Sequence, residues 1–338
     1  MALKVLMCGG RSRLSDAAWS IARGFERLGH EVRHVGTRKA GTKYDPIDDA
    51  EAILGTIVKE WQPHILLWIM CKFDCPPGLV AALRRLRPEM KTVFHSFDDP
   101  QQIDVTGTPW VEGFEYAVTC CEGSIPFYQE RGLDAICLYP PADRDLHGRA
   151  QPKEEELCDF AFAATNVYSR KLFPHVIAER TEVVRVAAKA GNLHLYGPWD
   201  GTRSTWGGQF GAPELKGAYK GRRTWEEMAI IYASSKITLN SHNRPDGYKY
   251  LNERTIHAIA AGSFMLTDHV AGLEEVLKPG IHLDTWSSLE ELEEKLTWWF
   301  QRPMAREQVV RAGKAFVLHH HDNVAHNRKL LAFLKLLY

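Results

Sequence analysis

The 338-residue sequence has no excess of either charge, because 42 Lys and Arg residues face 42 Asp and Glu residues. A chain without net charge exerts no overall attraction on nucleic acid or on an anionic membrane, although a local basic patch can still do so. The longest apolar run, residues 65–71, is far too short to cross a bilayer. Because the first residues also read as a strand and not as a signal peptide, we expect a cytoplasmic protein without integral membrane association.

Two further patterns are missing. The seven cysteines are odd in number and scattered, without the paired CxxC spacing of structural zinc, so we expect a reduced protein with no metal site. The glycine turn at Gly9 and Gly10 lacks the full GxGxxG spacing, which argues against a dinucleotide oxidoreductase. Three consecutive histidines, 319–321, cannot face one ion from a regular helix or strand, so we interpret them as structural.

Alternating strand and helix patterns run twice along the chain, which is too long for one ordinary core. The segment 140–156, rich in Pro, charge and small polar residues, reads as the linker between them. We therefore predict an α/β protein with two doubly wound parallel sheets, in domains 1–150 and 151–320, and a final amphipathic helix in 321–338. The predicted strands are 4–8, 31–35, 65–69, 92–94, 116–120, 159–163, 193–196, 236–239, 264–267 and 281–283. The predicted helices before the final one are 16–28, 48–60, 79–86, 125–131, 170–190, 224–234, 251–261, 289–301 and 305–318.

The segment 252–262, NERTIHAIAAG, is the most informative part of the chain. Its small residues near 258–262 let a helix lie close against a sheet, and Asn252 and Arg254 stand at the start of that helix. The first N–H groups of a helix and its dipole attract phosphate. The sequence therefore predicts an anion site at the beginning of this helix.

Cations and amides converge on the same helix start from the preceding segment, 240–250. Arginine offers a planar fork to phosphate oxygens and lysine a mobile point charge, so together they can neutralise a diphosphate without a divalent ion. The candidate donor-binding residues of this segment are Asn240, His242, Arg244, Lys249 and Tyr250.

The segment 252–262, followed by SFMLTD at 263–268 and GLEE at 272–275, resembles the donor-side helix of glycosyltransferases with two facing Rossmann-like domains, the GT-B fold. Within that group it is similar to the spore-maturation-type (CgeB-like) branch of the group 1 glycosyltransferases. The resemblance implies an acceptor-side first domain, a nucleotide-sugar-binding second domain, a cleft between them, and a last helix that crosses back to the first domain.

The same resemblance assigns roles and exposes two departures. In the family a Glu on this helix holds ribose hydroxyls and another, two turns upstream, lies near the sugar; here His257 and Lys249 stand in those places. An imidazole can still hydrogen-bond a ribose hydroxyl, but the identity of the nucleotide becomes uncertain. Glu274 and Glu275 follow a glycine turn where family members bind ribose or sugar, and helix capping is the alternative.

Further landmarks of the family occur earlier in the second domain. Residues 158–170 are similar to its strand, polar loop and Arg-starting helix, which makes Asn166 and Arg170 candidates for donor binding. Gly197, in LYGPW, and Lys220, in YKG, resemble the turns that sandwich the base. We read the Gly- and Trp-rich segment 199–216 as a long loop, and for its tryptophans packing inside the loop is an equally good interpretation.

Candidate acceptor-side groups follow a buried strand of the first domain. Ligands of such sheets bind outside the carboxyl ends of the strands, so His95, Asp98 and Asp99 can orient sugar hydroxyls and take a proton from an acceptor. The alternative is that either carboxylate caps the turn before Pro100. The resemblance implies that the glycine turn, Gly9 and Gly10, lies near the donor phosphates or the acceptor. Asp16 follows this turn and is a further candidate base, with helix capping as the simpler role.

These features predict a glycosyltransferase, a hexosyltransferase, that moves a sugar from a nucleotide diphosphate-sugar, with a UDP-sugar favoured, to a hydroxyl acceptor without a metal ion. Three alternatives remain open. The acceptor could be a hydroxymethylated base in DNA, as in bacteriophage-type enzymes, if the basic residues at 38–43, 84–87 and 222–223 form a basic stripe. The protein could also be a sugar-nucleotide epimerase. Finally, it could be a non-catalytic nucleotide-sugar-binding protein, an alternative suggested by His257 and Lys249 in place of the two glutamates.

Overall fold

In the computed structural model the chain forms two compact units, Met1–Pro141 with Asn323–Tyr338, and Ala142–Asp322. The structure describes residues 1–10, 16–39, 46–69, 75–101, 103, 111–165, 174–202, 205–209 and 211–337. Each unit contains its own six-stranded sheet, in which every described pairing is parallel. The predicted fold class, two parallel-sheet α/β domains, is therefore confirmed.

The sheet of the first unit has the strand order β2-β1-β3-β4-β5-β6. One of its two central strands, Ile65–Ile69, is entirely buried, as expected when helices cover both faces of a parallel sheet. The strands are β1 (Lys4–Cys8), β2 (Glu31–Val35), β3 (Ile65–Ile69), β4 (Lys91–His95), β5 (Tyr116–Thr119) and β6 (Asp134–Cys137). The helices are α1 (Asp16–Arg27), α2 (Ala50–Trp61), α3 (Leu79–Leu86) and α4 (Ile125–Gln129).

The sheet of the second unit has the order β12-β11-β10-β7-β8-β9. Its strands are β7 (Cys158–Ala163), β8 (Leu193–Tyr196), β9 (Tyr219–Gly221), β10 (Ser235–Asn240), β11 (Phe264–Asp268) and β12 (Asp284–Trp286). Its helices are α5 (Arg180–Ala190), α6 (Trp225–Ser234), α7 (Glu253–Ala261), α8 (Leu289–Phe300) and α9 (Pro303–His320). Shorter helical segments occupy Arg144–Gly148, Glu154–Glu156, Pro213–Ala218 and Leu273–Glu275.

Helix α7 has well-defined ends and a buried body. Asn252 caps its start by accepting a hydrogen bond from the Thr255 N–H at 3.1 Å, and Gly262 ends it with φ 94°, a left-handed conformation that favours glycine. Every residue from 255 to 261 is buried, because small side chains let the helix lie close to its neighbours. The start of α7 is thereby held firmly at the edge of the second sheet.

The last helix, α10 (Asn323–Phe333), packs on α1 within the first unit. The amide nitrogens of Asn323 and Asn327 donate to the backbone oxygens of Ser20 and Ile21, at 3.0 and 2.8 Å. A Cβ added at Gly24 would come within 2.4 Å of the Asn323 oxygen, so the two helices cross at a distance that only glycine permits there. Residues 323–338 are thus part of the first unit.

Several element boundaries differ from the sequence prediction. The predicted strand 281–283 is wrong, because Ile281 is half exposed in a glycine turn and the strand begins at Asp284. Strands β6 and β9 were not predicted as strands; every residue in them is exposed or only partly buried, so they lack a buried apolar run such as that of β3. The helix predicted at 170–190 begins at Arg180, where Glu179 and Glu182 form a capping box.

Most of the predicted linker, 140–156, belongs to the second unit, which begins at Ala142. It contains the helical segments Arg144–Gly148 and Glu154–Glu156. Asp143 accepts hydrogen bonds from the N–H groups of Asp145 and Leu146 at 2.8 and 2.9 Å, which starts the helical segment Arg144–Gly148. Asp143 and His147 are buried. The compact units accordingly divide after Pro141 and not at residue 150.

A buried pair of histidines joins α10 to the end of β4. Nε2 of His95 lies 3.4 Å from Nε2 of His326, whose Nδ1 contacts the Asn327 side-chain oxygen at 3.0 Å. Burial lowers the pKa of His326 to about 4, and burial together with the charge of His326 lowers the pKa of His95 well below its ordinary value. Both rings are therefore neutral in the folded protein near neutral pH.

The free energy of unfolding should fall as the pH drops from about 6.5 toward about 4, because unfolded histidine binds a proton in this range and buried His326 does not. For His326 alone the lowered pKa corresponds to about 3 kcal/mol. Urea unfolding at a series of pH values measures the loss, and His326→Gln, which removes one titrating group, should flatten it. Equal acid sensitivity of both proteins would show that the pair does not titrate as described.

Candidate functional site

The carboxyl ends of β10 and β11 and the start of α7 meet at one edge of the second sheet. Asn240 is the last residue of β10, Asp268 is the last residue of β11, and Asn252 is the cap of α7. In open parallel sheets, ligands bind outside the carboxyl ends of the strands. This edge is therefore the natural place for a ligand of the second unit.

Asp268 is a buried carboxylate that organises this edge. It accepts hydrogen bonds from the His242 backbone N–H at 2.9 and 2.8 Å, from His242 Nδ1 at 2.7 Å and from the Thr267 hydroxyl at 3.1 Å. Because the carboxylate only accepts, Nδ1 of His242 carries a proton. The ring of Tyr250 lies 5.1 Å from that of His242, and both residues are buried. His242 is thus held in one orientation and one tautomer.

Asn240 joins the two strands to α7. Its side-chain nitrogen donates to the hydroxyls of Thr267 and Thr255 at 3.0 and 3.2 Å. Its side-chain oxygen accepts from the Asn252 amide at 3.1 Å and from Nη1 of Arg254. Asn240 is fully buried, and all of its side-chain hydrogen-bonding capacity is used within the protein.

Arg254, in the first turn of α7, is the half-buried cation of this edge. Among the described residues no carboxylate forms an ion pair with it; its partners are the Asn240 oxygen and the ring of Phe162, whose centroid lies 6.0 Å from the guanidinium carbon. Arg244 differs, because both oxygens of Asp246 hold its guanidinium at 2.8 and 3.0 Å. Within the described residues, the positive charge of Arg254 is therefore not compensated by a carboxylate.

Lys249 precedes α7 in a tight turn that is packed against the next loop. It has φ 51°, a left-handed conformation that is uncommon outside glycine, and its N–H donates to the Ala271 oxygen at 2.7 Å. Its Nζ lies 2.8 Å from Oε2 of Glu275, and the Tyr248 hydroxyl donates to Oε1 of the same carboxylate at 2.7 Å. Hydrogen bonds from Lys249 and Tyr248 lower the pKa of Glu275.

Glu274 is exposed on the same loop, with its carboxylate 3.8 Å from Nε2 of His269. Glu275 thus serves as the partner of Lys249, and Glu274 faces solvent. The sequence reasoning placed both glutamates in the donor site without foreseeing this ion pair.

His257 lies on the buried side of α7. Its ring stacks on that of His147, with centroids 4.2 Å apart and an interplanar angle of 24°. His147 in turn accepts the Asp143 N–H on Nδ1 at 3.0 Å. His257, for which the sequence suggested a ribose contact, therefore packs against the segment Arg144–Gly148.

His257→Ala should lower the free energy of unfolding by about 2–3 kcal/mol, because it removes a buried ring from its stacking partner. If the side chain only packs, the affinity for a nucleotide diphosphate should change less than threefold. Urea unfolding and calorimetric titration on the same preparation separate the two roles. A large loss of affinity with little loss of stability would support a ribose contact instead.

The loop after β8 is built around Trp206, which is fully buried and donates from Nε1 to the Ala164 oxygen at 2.9 Å. Gly197 has φ 139°, and a Cβ there would come within 2.2 Å of that oxygen. Trp199 lies on Tyr219 with ring centroids 4.7 Å apart. Packing inside the loop is thus the role of Trp206, while Lys220 is exposed on β9.

The acidic pair of the first unit is divided by burial. Asp99 is fully buried and accepts hydrogen bonds from the hydroxyls of Ser96, Thr119 and Tyr128 at 2.8, 2.7 and 2.7 Å. Burial raises its pKa despite these three donors. This environment is that of an internal structural carboxylate, and His95 is equally buried. Asp98 is the partly exposed member of the group.

The glycine turn after β1 lies at the same edge of the first sheet. Gly9 has φ 118°, and a Cβ there would come within 2.2 Å of the Ile69 oxygen; Gly10 has φ 68°. Asp16 begins α1, but its side chain lies outside the described residues, as do Asn166 and Arg170.

Sequence reasoning missed Arg180, which is 5% exposed. Its guanidinium donates to the Thr165 oxygen at 2.6 Å and to the Ser241 oxygen and Asn243 Oδ1 at 2.9 Å each. It therefore ties the segment after β7 to the segment after β10. Locating the start of α5 at the Glu179 capping box would have singled it out. Asp268 was part of the recognised SFMLTD segment, but its buried partners come from separate stretches of sequence.

Two general properties complete the description. Of the described helices, none combines the length and the apolar composition needed to span a membrane. Within the same residues, no three His, Cys, Asp or Glu side chains come together as a set that could hold a metal ion.

Comparison with protein families places residues 171–332, just under half of the chain, in a match to the family described as glycosyl transferase-like. This range includes the β10, β11 and α7 edge. No curated protein matches the sequence.

Solved structures with the same architecture cover almost the whole chain. A glycosyltransferase from Rickettsia africae matches with a TM-score of 0.66 and 11% identity, over 99% of this chain and 98% of the other. Anabaena HepE in complex with UDP-glucose matches with a TM-score of 0.64 and 11% identity, over 99% and 100%. Sucrose-phosphate synthase from Thermosynechococcus elongatus matches with a TM-score of 0.64 and 11% identity, over 98% of each chain. The two six-stranded α/β units thus have the fold of GT-B glycosyltransferases.

Proposed function

We propose that this protein is a glycosyltransferase of the group 1 type that binds a nucleotide diphosphate-sugar at the start of α7, and that the donor is a UDP-sugar. The match over residues 171–332 supports the class, and it covers the residues of this edge. The fold is shared with a protein that was solved with UDP-glucose. The observation that carries the proposal is Arg254, a cation without a carboxylate partner among the described residues, in the first turn of a capped helix.

The chemistry follows from where the negative charge develops. Transfer of a sugar leaves a nucleoside diphosphate, whose new charge must be stabilised as the glycosidic bond to the leaving oxygen breaks. The dipole and N–H groups of α7 and the guanidinium of Arg254 supply fixed positive potential for this purpose. Arg254 needs no reorganisation, because Asn240 already holds one of its nitrogens.

The other predicted residues take supporting roles in this proposal. Arg244 and Lys249 add positive charge that Asp246 and Glu275 partly neutralise, and Gly197 and Lys220 stand beside the aromatic loop that would receive the base. Asp98 is the acceptor-side carboxylate, since Asp99 is committed to three hydroxyls. Asp16, Asn166 and Arg170 remain predictions.

Arg254→Ala should raise the Kd for UDP and for the UDP-sugar by roughly 10- to 100-fold, the effect of losing one charge-assisted hydrogen bond of about 1.5–3 kcal/mol. The Kd of Arg254→Lys should lie between those of the wild-type protein and Arg254→Ala. Titration calorimetry measures the Kd, and Arg311→Ala, an exposed arginine paired with Glu307 on α9, is the matched control. Unchanged affinity of the Arg254→Ala protein would remove this residue from the site.

Transfer of the sugar should be insensitive to EDTA, because the proposed cations that neutralise the diphosphate are protein side chains. Initial rates of UDP release with and without chelator test this, with a magnesium-dependent glycosyltransferase assayed in parallel. A rate that collapses with EDTA and returns with added Mg²⁺ would contradict the metal-free proposal.

A donor screen followed by an acceptor screen separates this function from the alternatives. A panel of UDP-, ADP-, GDP- and dTDP-sugars is screened by thermal stabilisation, in which a ligand at a hundred times its Kd adds about 2.7 kcal/mol. The stabilising donor is then incubated alone, with hydroxyl acceptors and with hydroxymethylated duplex DNA. Sugar transfer to a small or glycan acceptor supports the proposal. Isomerised donor, transfer to DNA or binding without any turnover would each replace it with the corresponding alternative.

A further inference from the structure

The hydroxyls around Asn240 leave its side-chain amide only one orientation. The Thr267 hydroxyl donates its proton to Asp268 at 3.1 Å, and the Thr255 hydroxyl donates its proton to the Asn252 oxygen at 3.1 Å. Each hydroxyl has one proton, so both present lone pairs to Asn240. The NH₂ group of Asn240 must therefore face the two threonines.

The oxygen of the Asn240 amide consequently faces Arg254. It accepts from Nη1 of Arg254 and from the Asn252 amide, and both of these groups are donors there. A reversed amide would set its NH₂ group against two donors in a fully buried place, which costs the free energy of unsatisfied hydrogen bonds. The Asp268 carboxylate can only accept hydrogen bonds, so it fixes which group donates and which accepts along this chain.

We infer that Asn240 is a positioning residue that fixes the guanidinium of Arg254 through a neutral oxygen, and that Asp268 sets its orientation through Thr267. The inference rests on the proposed function, in which Arg254 binds the diphosphate of the donor. An amide oxygen holds the guanidinium in place and leaves its full positive charge available to the ligand. A carboxylate in the same position would hold it too, but would neutralise it, as Asp246 does for Arg244.

Asn240→Asp tests this directly, because it keeps the size of the side chain and replaces a neutral acceptor by an anion. The introduced carboxylate should form an ion pair with Arg254 and compete with the ligand phosphate. We expect the Kd for UDP to rise roughly tenfold or more, which corresponds to about 1.4 kcal/mol, while thermal unfolding shows a folded protein.

Asn243→Asp is the matched control. It adds the same charge in the same segment, but the Asn243 oxygen accepts from Arg180 and not from Arg254. The introduced carboxylate would lie against the guanidinium of Arg180, so it adds a negative charge without placing it on Arg254. We expect the Kd for UDP to change less than about threefold, since the added charge is paired with the Arg180 guanidinium.

A double-mutant cycle distinguishes positioning from a general structural effect. In an Arg254→Ala background, Asn240→Asp should cause a smaller further loss of affinity than in the wild-type background, because only the direct repulsion of the phosphate remains. Should Asn240→Asp not fold, Thr267→Val breaks the link from Asp268 to Asn240 without a change of charge. It should raise the Kd severalfold in the wild-type background and leave it unchanged in the Arg254→Ala background.

The outcomes are separable from those of the proposed function. If the wild-type protein binds no nucleoside diphosphate or nucleotide-sugar, the proposed function fails and takes this inference with it. If the wild-type protein binds UDP and Asn240→Asp binds equally well, or if its effect is the same in the wild-type and Arg254→Ala backgrounds, the positioning role is overturned while the proposed function stands. Loss confined to Asn240→Asp, with a non-additive cycle, supports the inference.

Discussion

The buried carboxylate of Asp268 is the constraint on which the candidate site depends. An ion removed from water must be compensated by hydrogen bonds, and its donors here are the backbone and ring of His242 and the hydroxyl of Thr267. These bonds fix the segment that leaves β10 against the end of β11. From there the amide of Asn240 extends the same network to the first turn of α7.

The three cations near the start of α7 differ in the groups with which they pair. Arg244 and Lys249 have carboxylate partners, whereas Arg254 has a neutral amide oxygen and the face of an aromatic ring. An ion pair partly cancels the field that a ligand would meet, and a neutral hydrogen bond does not. Three cations that look alike in the sequence therefore differ in what they can offer to a phosphate.

In the first unit, two of the predicted acceptor-side groups are buried within the fold. His95 and Asp99 lie at the carboxyl edge of its sheet, where a ligand is expected, yet both are fully buried. Asp99 accepts hydrogen bonds from three hydroxyls, and Nε2 of His95 lies against the histidine of α10. These groups stabilise the unit, and Asp98 is left as the partly exposed carboxylate.

The sequence by itself determined the fold class, most strands and helices, and the start of α7, because hydrophobic periods, the Asn252 cap and Gly262 are local signals. It also predicted that Arg254 stands at an anion site. It did not determine which polar residues face a ligand. His257 and Asp99 are buried, Lys249 is paired and Arg180 joins two segments. Each of these facts depends on partners that come from distant parts of the chain. Burial and pairing are properties of packed surfaces, so only the tertiary structure decided them.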